Sequence, residues 1–332
     1  MTTAPARPSV ARLTHMEAVV DAIASEMRRD SRVLYIGQDV GPMGGSMQGT
    51  RGLFEEFGPG RVREAPIAES GMLGVGIGAA LYGLRPIVEV SFGEFLPAAM
   101  NQLINQAPNL RYMTGGAATV PVVVRTRVGD GPYGGHPQDY SAWFAHVPGL
   151  KVVMPAAPTD ARSLMLASIR DPNPVLFFEP MSLSHAGRED VVLGDEAPPI
   201  GPARIARPGR DLSLVAIGSM VPVALEAAER LAPEGADLEV IDLRCLRPWD
   251  ADLVIDSVRR TGRLATVHEA WVEGGFAAEV VATVAERALD ALHAPVVRVG
   301  ALPVPVPSGK LRHYALPDLD KLLTALRASL SS

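Results

Sequence analysis

The chain has 332 residues, enough for two domains of ordinary size with a core in each. At 47% hydrophobic and 20% charged, with 32 Gly and 29 Pro, its composition is that of a globular protein and excludes disordered and fibrous classes. A net charge of −6 leaves no electrostatic footprint for nucleic acid or anionic lipid, and a single cysteine, Cys245, excludes an intrachain disulfide framework and a Cys-rich metal cluster. The start "MTTAPARPSVARL" lacks the apolar run of a signal peptide, and no later segment is long and apolar enough to span a bilayer, so the expectation is a cytoplasmic protein with no membrane partner.

Along the chain, helix and strand patterns alternate. Thr14 and Glu17 form a capping box ahead of a helix whose apolar face is Met16, Val19, Val20, Ile23 and Met27. Short β-rich runs follow: "VLYIG" at Val33, "PIVEVSF" at Pro86, "PVVVRTRV" at Pro121, "KVVMP" at Lys151 and "PVLFFEP" at Pro174. Helices are expected between them, over Gly71–Tyr82, Leu96–Met113 and Thr159–Arg170. Continuous apolar strands separated by helices read as a mostly parallel sheet covered on both faces, an α/β fold. Met181 to Asp211 is polar and rich in Gly and Pro, and reads as a linker. The alternation then restarts with "LSLVAIG", a helix from Val221, "LEVIDL", a helix between Asp250 and Gly262, "RLATVHEA", a helix from Gly275 and "APVVRVGAL". The division is a first domain over 1–185, a linker over 186–211 and a second α/β domain over 212–332.

Gly74, Gly76 and Ala79 fit the G-x-G-x-x-A pattern of a dinucleotide site, with Glu89 as its downstream acid. Against that, Pro66 sits in the preceding strand, Glu89 comes sooner than the usual ~20 positions, and Glu69 would repel a pyrophosphate. The glycines can equally serve to pack a helix closely on the sheet. Glu69 falls at an expected strand end, where open α/β sheets place ligands. "GDGPYGGHPQDYSAWFAH", from Gly129, joins a glycine loop to His136, which is placed to meet substrate, whereas His146 reads as structural. No H-E-x-x-H spacing supports zinc, and Ser141 lacks a G-x-S-x-G elbow. Phe92 and Phe95 bracket Glu94; they read as core aromatics, or, if Glu69 faces a cleft, Phe95 offers a flat apolar wall to a heteroaromatic ligand.

Taken in order, "EAPIAESGMLGVGIGAALYGLRPIVEVSFGEFLPAAMNQL", "HPQDYSAWFAHVPGLKVVMP", "IRDPNPVLFFEP", "VIDLRCLRPWD" and "TVHEAWVEGGFAAEV" resemble successive signatures of one family. It is the beta subunit of the thiamine-diphosphate-dependent decarboxylating component of 2-oxo acid dehydrogenase complexes, of pyruvate, branched-chain 2-oxo acid or acetoin type, in the transketolase-like group. The likeness runs from about Thr14 to about Leu326. It implies a pyrimidine-binding first domain, a transketolase carboxy-terminal second domain and an α2β2 heterotetramer with cofactor sites at the α–β boundary. It also implies decarboxylation of a small 2-oxo acid and acyl transfer to a lipoyl-bearing acyltransferase.

On this resemblance Glu69 matches the glutamate that bonds N1′ of the aminopyrimidine, favouring the tautomer that deprotonates the thiazolium. Phe95 matches the aromatic packed on that ring, and His136 the histidine facing substrate and acyl transfer. A potassium site of main-chain carbonyls is implied at Val122, Ser168, Ile169, Asp171 and Asn173. Mg²⁺ and the diphosphate belong to the alpha subunit, through a G-D-G motif with a downstream asparagine that this chain lacks, so alone it is expected to be inactive. The chain departs from the family at Gln38, where relatives carry an acid, at Pro137, where they carry serine, and over "PSGKLRHY", with Lys310, Arg312 and His313. These departures leave open a carboligase or acyl transferase using the same cofactor with a non-lipoyl acceptor. Two further alternatives are a non-catalytic partner subunit and a nicotinamide-dependent dehydrogenase.

Overall fold

The computed structural model describes residues 9–131, 135–307 and 309–331. In chain order the first elements are β1 (Val10–Leu13), α1 (His15–Arg29), β2 (Val33–Gly37), α2 (Leu53–Arg61), β3 (Val62–Glu64), α3 (Glu69–Leu81) and β4 (Arg85–Phe92). Next come α4 (Leu110–Met113), β5 (Val123–Val128), α5 (Ser141–Ala145), β6 (Lys151–Val153), α6 (Pro158–Arg170) and β7 (Val175–Pro180). The remainder comprises β8 (Glu189–Val192), β9 (Arg204–Arg207), β10 (Leu212–Ala216), α7 (Met220–Leu231), β11 (Leu238–Asp242) and β12 (Cys245–Arg247). It closes with α8 (Ala251–Thr261), β13 (Leu264–Trp271), α9 (Phe276–Ala288), β14 (Val297–Ala301), α10 (Arg312–Ala315) and α11 (Leu319–Leu330). Among the described residues no helix is long and apolar enough to cross a membrane.

Seven of the described strands form one sheet in the order β12-β6-β7-β5-β4-β2-β3, parallel except for β12. A second sheet has the order β14-β13-β10-β11-β9, parallel except for β9. The central parallel strands β2, β4, β5, β7, β10 and β11 are buried almost throughout because helices cover both faces, as the continuous runs imply. Local signals place the helix ends. Thr14 Oγ1 accepts from Glu17 N–H at 3.3 Å while the Glu17 carboxylate accepts from Thr14 N–H at 2.9 Å, so α1 starts on a complete capping box. Asp250 caps α8 through the Leu253 N–H, and Gly262, at φ 72°, ends it in the left-handed region that glycine occupies without strain.

Three features differ from the sequence reading. The segment over Leu96–Met113 is not one helix: Pro97 and Pro108 interrupt it, and a wide turn closes on a bond from Ala107 N–H to Gln102 O, five residues back. The stretch read as a linker carries β8, paired with β1, and β9, paired with β11. Finally, β12 follows the second sheet's β11 in the chain but pairs with β6 of the first. One apolar cluster accordingly runs from Ile36, Val88, Val124 and Phe178 into Val215, Ile241 and Phe276, joining the two sheets.

Candidate active site

The first sheet brings together residues that are far apart in sequence. β5, β4, β2 and β3 are neighbours in that order, and β5, β4 and β3 are each followed at the carboxyl end by part of the site. Glu69 follows β3, Phe92 ends β4 with Glu94 and Phe95 just beyond, and His136 lies on the loop after β5. Ligands of open parallel sheets sit along this edge. The loop residues Pro132, Tyr133 and Gly134 fall outside the described residues.

Glu69 is the first residue of α3, half-buried, behind Ala68, which supplies no side-chain cap. The free N–H groups of that first turn and the helix dipole favour a negative group there. The same turn is tied to the next part of the site, because Ser70 Oγ donates to Ala98 O at 2.5 Å. Ala98 belongs to the tight helical turn Gly93–Ala99 that carries Glu94 and Phe95.

Phe95 and His136 are in contact, with ring centroids 4.7 Å apart edge to face, and Phe92 lies 4.6 Å from the same histidine ring. Glu94 supports this group: one oxygen is 3.2 Å from His136 Nδ1 and the other accepts from the Gln138 N–H at 3.0 Å. His136 itself holds φ 56°, a left-handed backbone uncommon for a residue with a side chain. The arrangement offers a carboxylate, an apolar aromatic wall and an imidazole held by a second carboxylate. It suits a flat, protonatable ring beside a substrate that exchanges protons.

Other sequence candidates resolve differently. Gly74, Gly76 and Ala79 lie inside α3, not in a strand-to-helix turn, so their N–H groups serve the helix and no phosphate loop exists. Gly76 is the packing glycine: a Cβ there would stand 2.5 Å from Val88 Cγ2 of β4. Gly74 and Gly78 face open space, so packing behind Glu69 accounts for only part of the glycine pattern. Glu89 is no ribose reader either. It is buried in a network where Tyr35 donates to it and Arg125 and Arg127 approach it at 3.2 and 3.3 Å. Arg125 also binds Glu179 at 2.5 and 3.0 Å and the Gly49 carbonyl at 2.8 Å. The Arg125 charge holds the Glu179 carboxyl below its usual range despite burial, which pushes it up, and burial pushes the Tyr35 phenol up.

His146 is exposed and lines, with Trp143, Trp249 and Phe276, a cavity of about 630 Å³ that neither Glu69 nor His136 lines. Cys245 is buried, with its thiol pushed up to about 11 by burial, which makes it an unreactive core residue. Among the carbonyls expected to hold potassium, Ile169 O and Asp171 O accept from Arg85 at 2.7 and 3.3 Å, and Val122 O accepts from the Val175 N–H. Gly129-Asp130-Gly131 is engaged within the chain: Asp130 N–H donates to Glu269, and its carboxylate pairs with Arg312 at 3.0 Å.

The transketolase pyrimidine-binding domain matches residues 11–185 and the transketolase C-terminal domain residues 201–322. The pyruvate dehydrogenase E1 component subunit beta of Rhizobium meliloti is 42% identical over 98% of this chain and 71% of its own length. The 2-oxoisovalerate dehydrogenase subunit beta of Bacillus subtilis is 40% identical over 95% of this chain and 98% of its own length. A solved split-gene transketolase, an inactive beta4 tetramer, superposes with a TM-score of 0.79 at 24% identity, covering 96% of this chain and 99% of that one. The chain therefore belongs to the transketolase-like family of beta subunits of the E1 component of 2-oxo acid dehydrogenases.

Proposed function

We propose that this chain works as the beta half of an α2β2 2-oxo acid decarboxylase, with Glu69, Phe95 and His136 as its contribution to each active site. The observation that carries the reading is the junction at Glu94: it binds His136 and the Gln138 N–H from the same turn that carries Phe95 and is tied to Glu69's helix. Thiamine diphosphate, when bound, supplies the nucleophilic carbon and the electron sink for decarboxylation. The residues present fit it. Glu69 offers an acceptor to a protonated ring nitrogen at a helix start, and Phe95 offers the wall for that ring. His136, oriented by Glu94, presents its Nε2 to exchange a proton with substrate or with the sulfur of a lipoyl arm.

Diphosphate and Mg²⁺ are assigned to the alpha subunit. In this chain the one G-D-G stretch is committed to Glu269 and Arg312, and Asp130 lies in an ion pair, so its oxygens are poor candidates for a hard cation. Potassium at Val122, Ser168, Ile169, Asp171 and Asn173 stays within the proposal. A carbonyl oxygen has two lone pairs, so those facing Arg85 each keep one. Thermal melts in KCl and in choline chloride decide this, since equal midpoints would remove the ion. The site is proposed to work in the cytoplasm, on a small 2-oxo acid, delivering the acyl group to a lipoylated acyltransferase.

The test is reconstitution. This chain and an alpha-type chain are assayed singly and together with thiamine diphosphate, Mg²⁺ and a panel of 2-oxo acids, offering lipoylated domain or free aldehyde as acceptor. Turnover by the pair only, with acylation of the lipoyl group, is expected. Turnover only with free aldehyde would replace this reading with a carboligase.

A further inference from the structure

The segment Gly129–Gly131 leaves β5 and leads to His136, yet the groups that hold it come from the other domain. Glu269, on β13, accepts hydrogen bonds from the Asp130 N–H and from the Ser219 hydroxyl at the start of α7. Gly129, at φ 79°, lies against the same carboxylate, where a Cβ would stand 2.7 Å from Glu269 Oε2. Arg312 of α10 pairs with the Asp130 carboxylate at 3.0 Å and donates to the Gly131 carbonyl at 3.2 Å. The N–H and the carboxylate of Asp130 are thus both held by side chains more than a hundred residues away in sequence.

We propose that Glu269 and Arg312 are positioning residues, a clamp from the second domain that fixes the backbone from which the His136 loop departs. This rests on the role of His136 proposed above. Gly129 gives the loop a swivel that no side chain restrains. A charged acceptor on the Asp130 N–H and a guanidinium on the Gly131 carbonyl remove that freedom. Displacing a catalytic group by about 1 Å costs on the order of a hundredfold in rate, so the swivel matters to turnover. Burial pushes the Glu269 carboxyl up to about 7. The Ser219 hydroxyl and the Asp130 N–H oppose that rise, and the charges of Asp139 and Asp130 add to it. Arg312 pairs with Asp130 and so adds a positive charge next to the cluster. The clamp therefore changes charge near neutral pH, and its grip on the Asp130 N–H is strongest in the ionised form.

The experiment uses the assembled alpha–beta enzyme. Hydrogen exchange is followed in the peptide spanning 127–140, with kcat, KM for the 2-oxo acid and the pH profile of kcat measured on the same samples. In Glu269→Ala, exchange at Asp130 should quicken at least about tenfold, and kcat should fall about ten- to a hundredfold with KM changed by less than about threefold. Glu269→Gln should remove an inflection near pH 7 that the parent shows. Should the alanine variant fail to assemble, Glu269→Gln and Arg312→Ala carry the same readouts. Unchanged exchange, kcat within about twofold and an unaltered pH profile would overturn the clamp. His136→Ala is run in parallel: its inactivity alongside fully active Glu269 variants removes the clamp alone, whereas its full activity removes the function from which the clamp takes its meaning.

Discussion

At Glu94 a single carboxylate serves two acceptor roles, one oxygen toward the His136 ring and the other toward the Gln138 N–H, so ring and loop are oriented together. An amide has only one acceptor oxygen. Glu94→Gln should therefore keep one of the two bonds, lowering kcat about tenfold with little change in KM; steady-state kinetics showing an unchanged kcat would mean that His136 is oriented by something else. Glu69, Phe95 and His136 stood out in the sequence because an acid at a strand end, an aromatic pair and a histidine in a glycine loop are unusual locally. Glu94 did not, since nothing in its own stretch announces a histidine 42 residues downstream. Glu89 misled for a related reason. Its place as an acid after the glycines imitates a fingerprint although it comes too soon, while its actual partners Tyr35, Arg125 and Arg127 meet it only through the sheet.

The glycines of α3 divide by the face they occupy, and substitution should separate them. Gly76→Ala drives a methyl into Val88 and should cost about 1–3 kcal/mol, read as a lowered denaturation midpoint. Gly74→Ala meets open space and should stabilise the isolated chain by about 0.5–1 kcal/mol. If the outer face of α3 receives the alpha subunit, Gly74→Ala should also weaken assembly, measurable by sedimentation. On β13 the Glu269 carboxyl, raised to about 7 in the fold from an ordinary 4.5, makes the folded state bind more protons than the unfolded one between those values. Stability from this group is thus greatest at low pH and is lost as pH rises toward 7. Between pH 5 and 8 the parent should lose about 1–2 kcal/mol relative to Glu269→Gln in denaturant titrations, a figure reduced for partial exposure. A loss of the same size in the Gln variant would place the titration elsewhere.

Apolar runs identified the central strands because burial on both faces demands them, and caps such as Thr14 and Asp250 identified helix starts. β1, β8, β9 and β12 escaped notice: each has three or four residues, and each exists because a distant partner strand receives it, while the strand expected to run up to Glu69 stops at Glu64.

Among the described residues the molecule is two large sheets and a two-stranded ribbon, fastened by a strand that crosses over. β12 leaves the second half of the chain to complete the first sheet, β1 pairs with β8 in the stretch that separates the halves, and a shared apolar cluster fills the space between. Val75 on α3, Tyr82 at its carboxyl end, and Tyr112 and Met113 on α4 remain 62, 90, 90 and 74% exposed. Large apolar side chains left bare on helices are what a subunit completed by a different partner would present. The second domain reaches the segment leading to His136 through Glu269 and Arg312, so activity should depend on both halves of the chain as well as on the partner. The decisive measurement is turnover of a 2-oxo acid by the reconstituted alpha–beta pair carrying Glu69→Gln, assembled and saturated with thiamine diphosphate and Mg²⁺. Loss of at least about a hundredfold in kcat, with the tetramer intact, is expected of a carboxylate acting on the cofactor ring; turnover equal to the parent would contradict that role for Glu69.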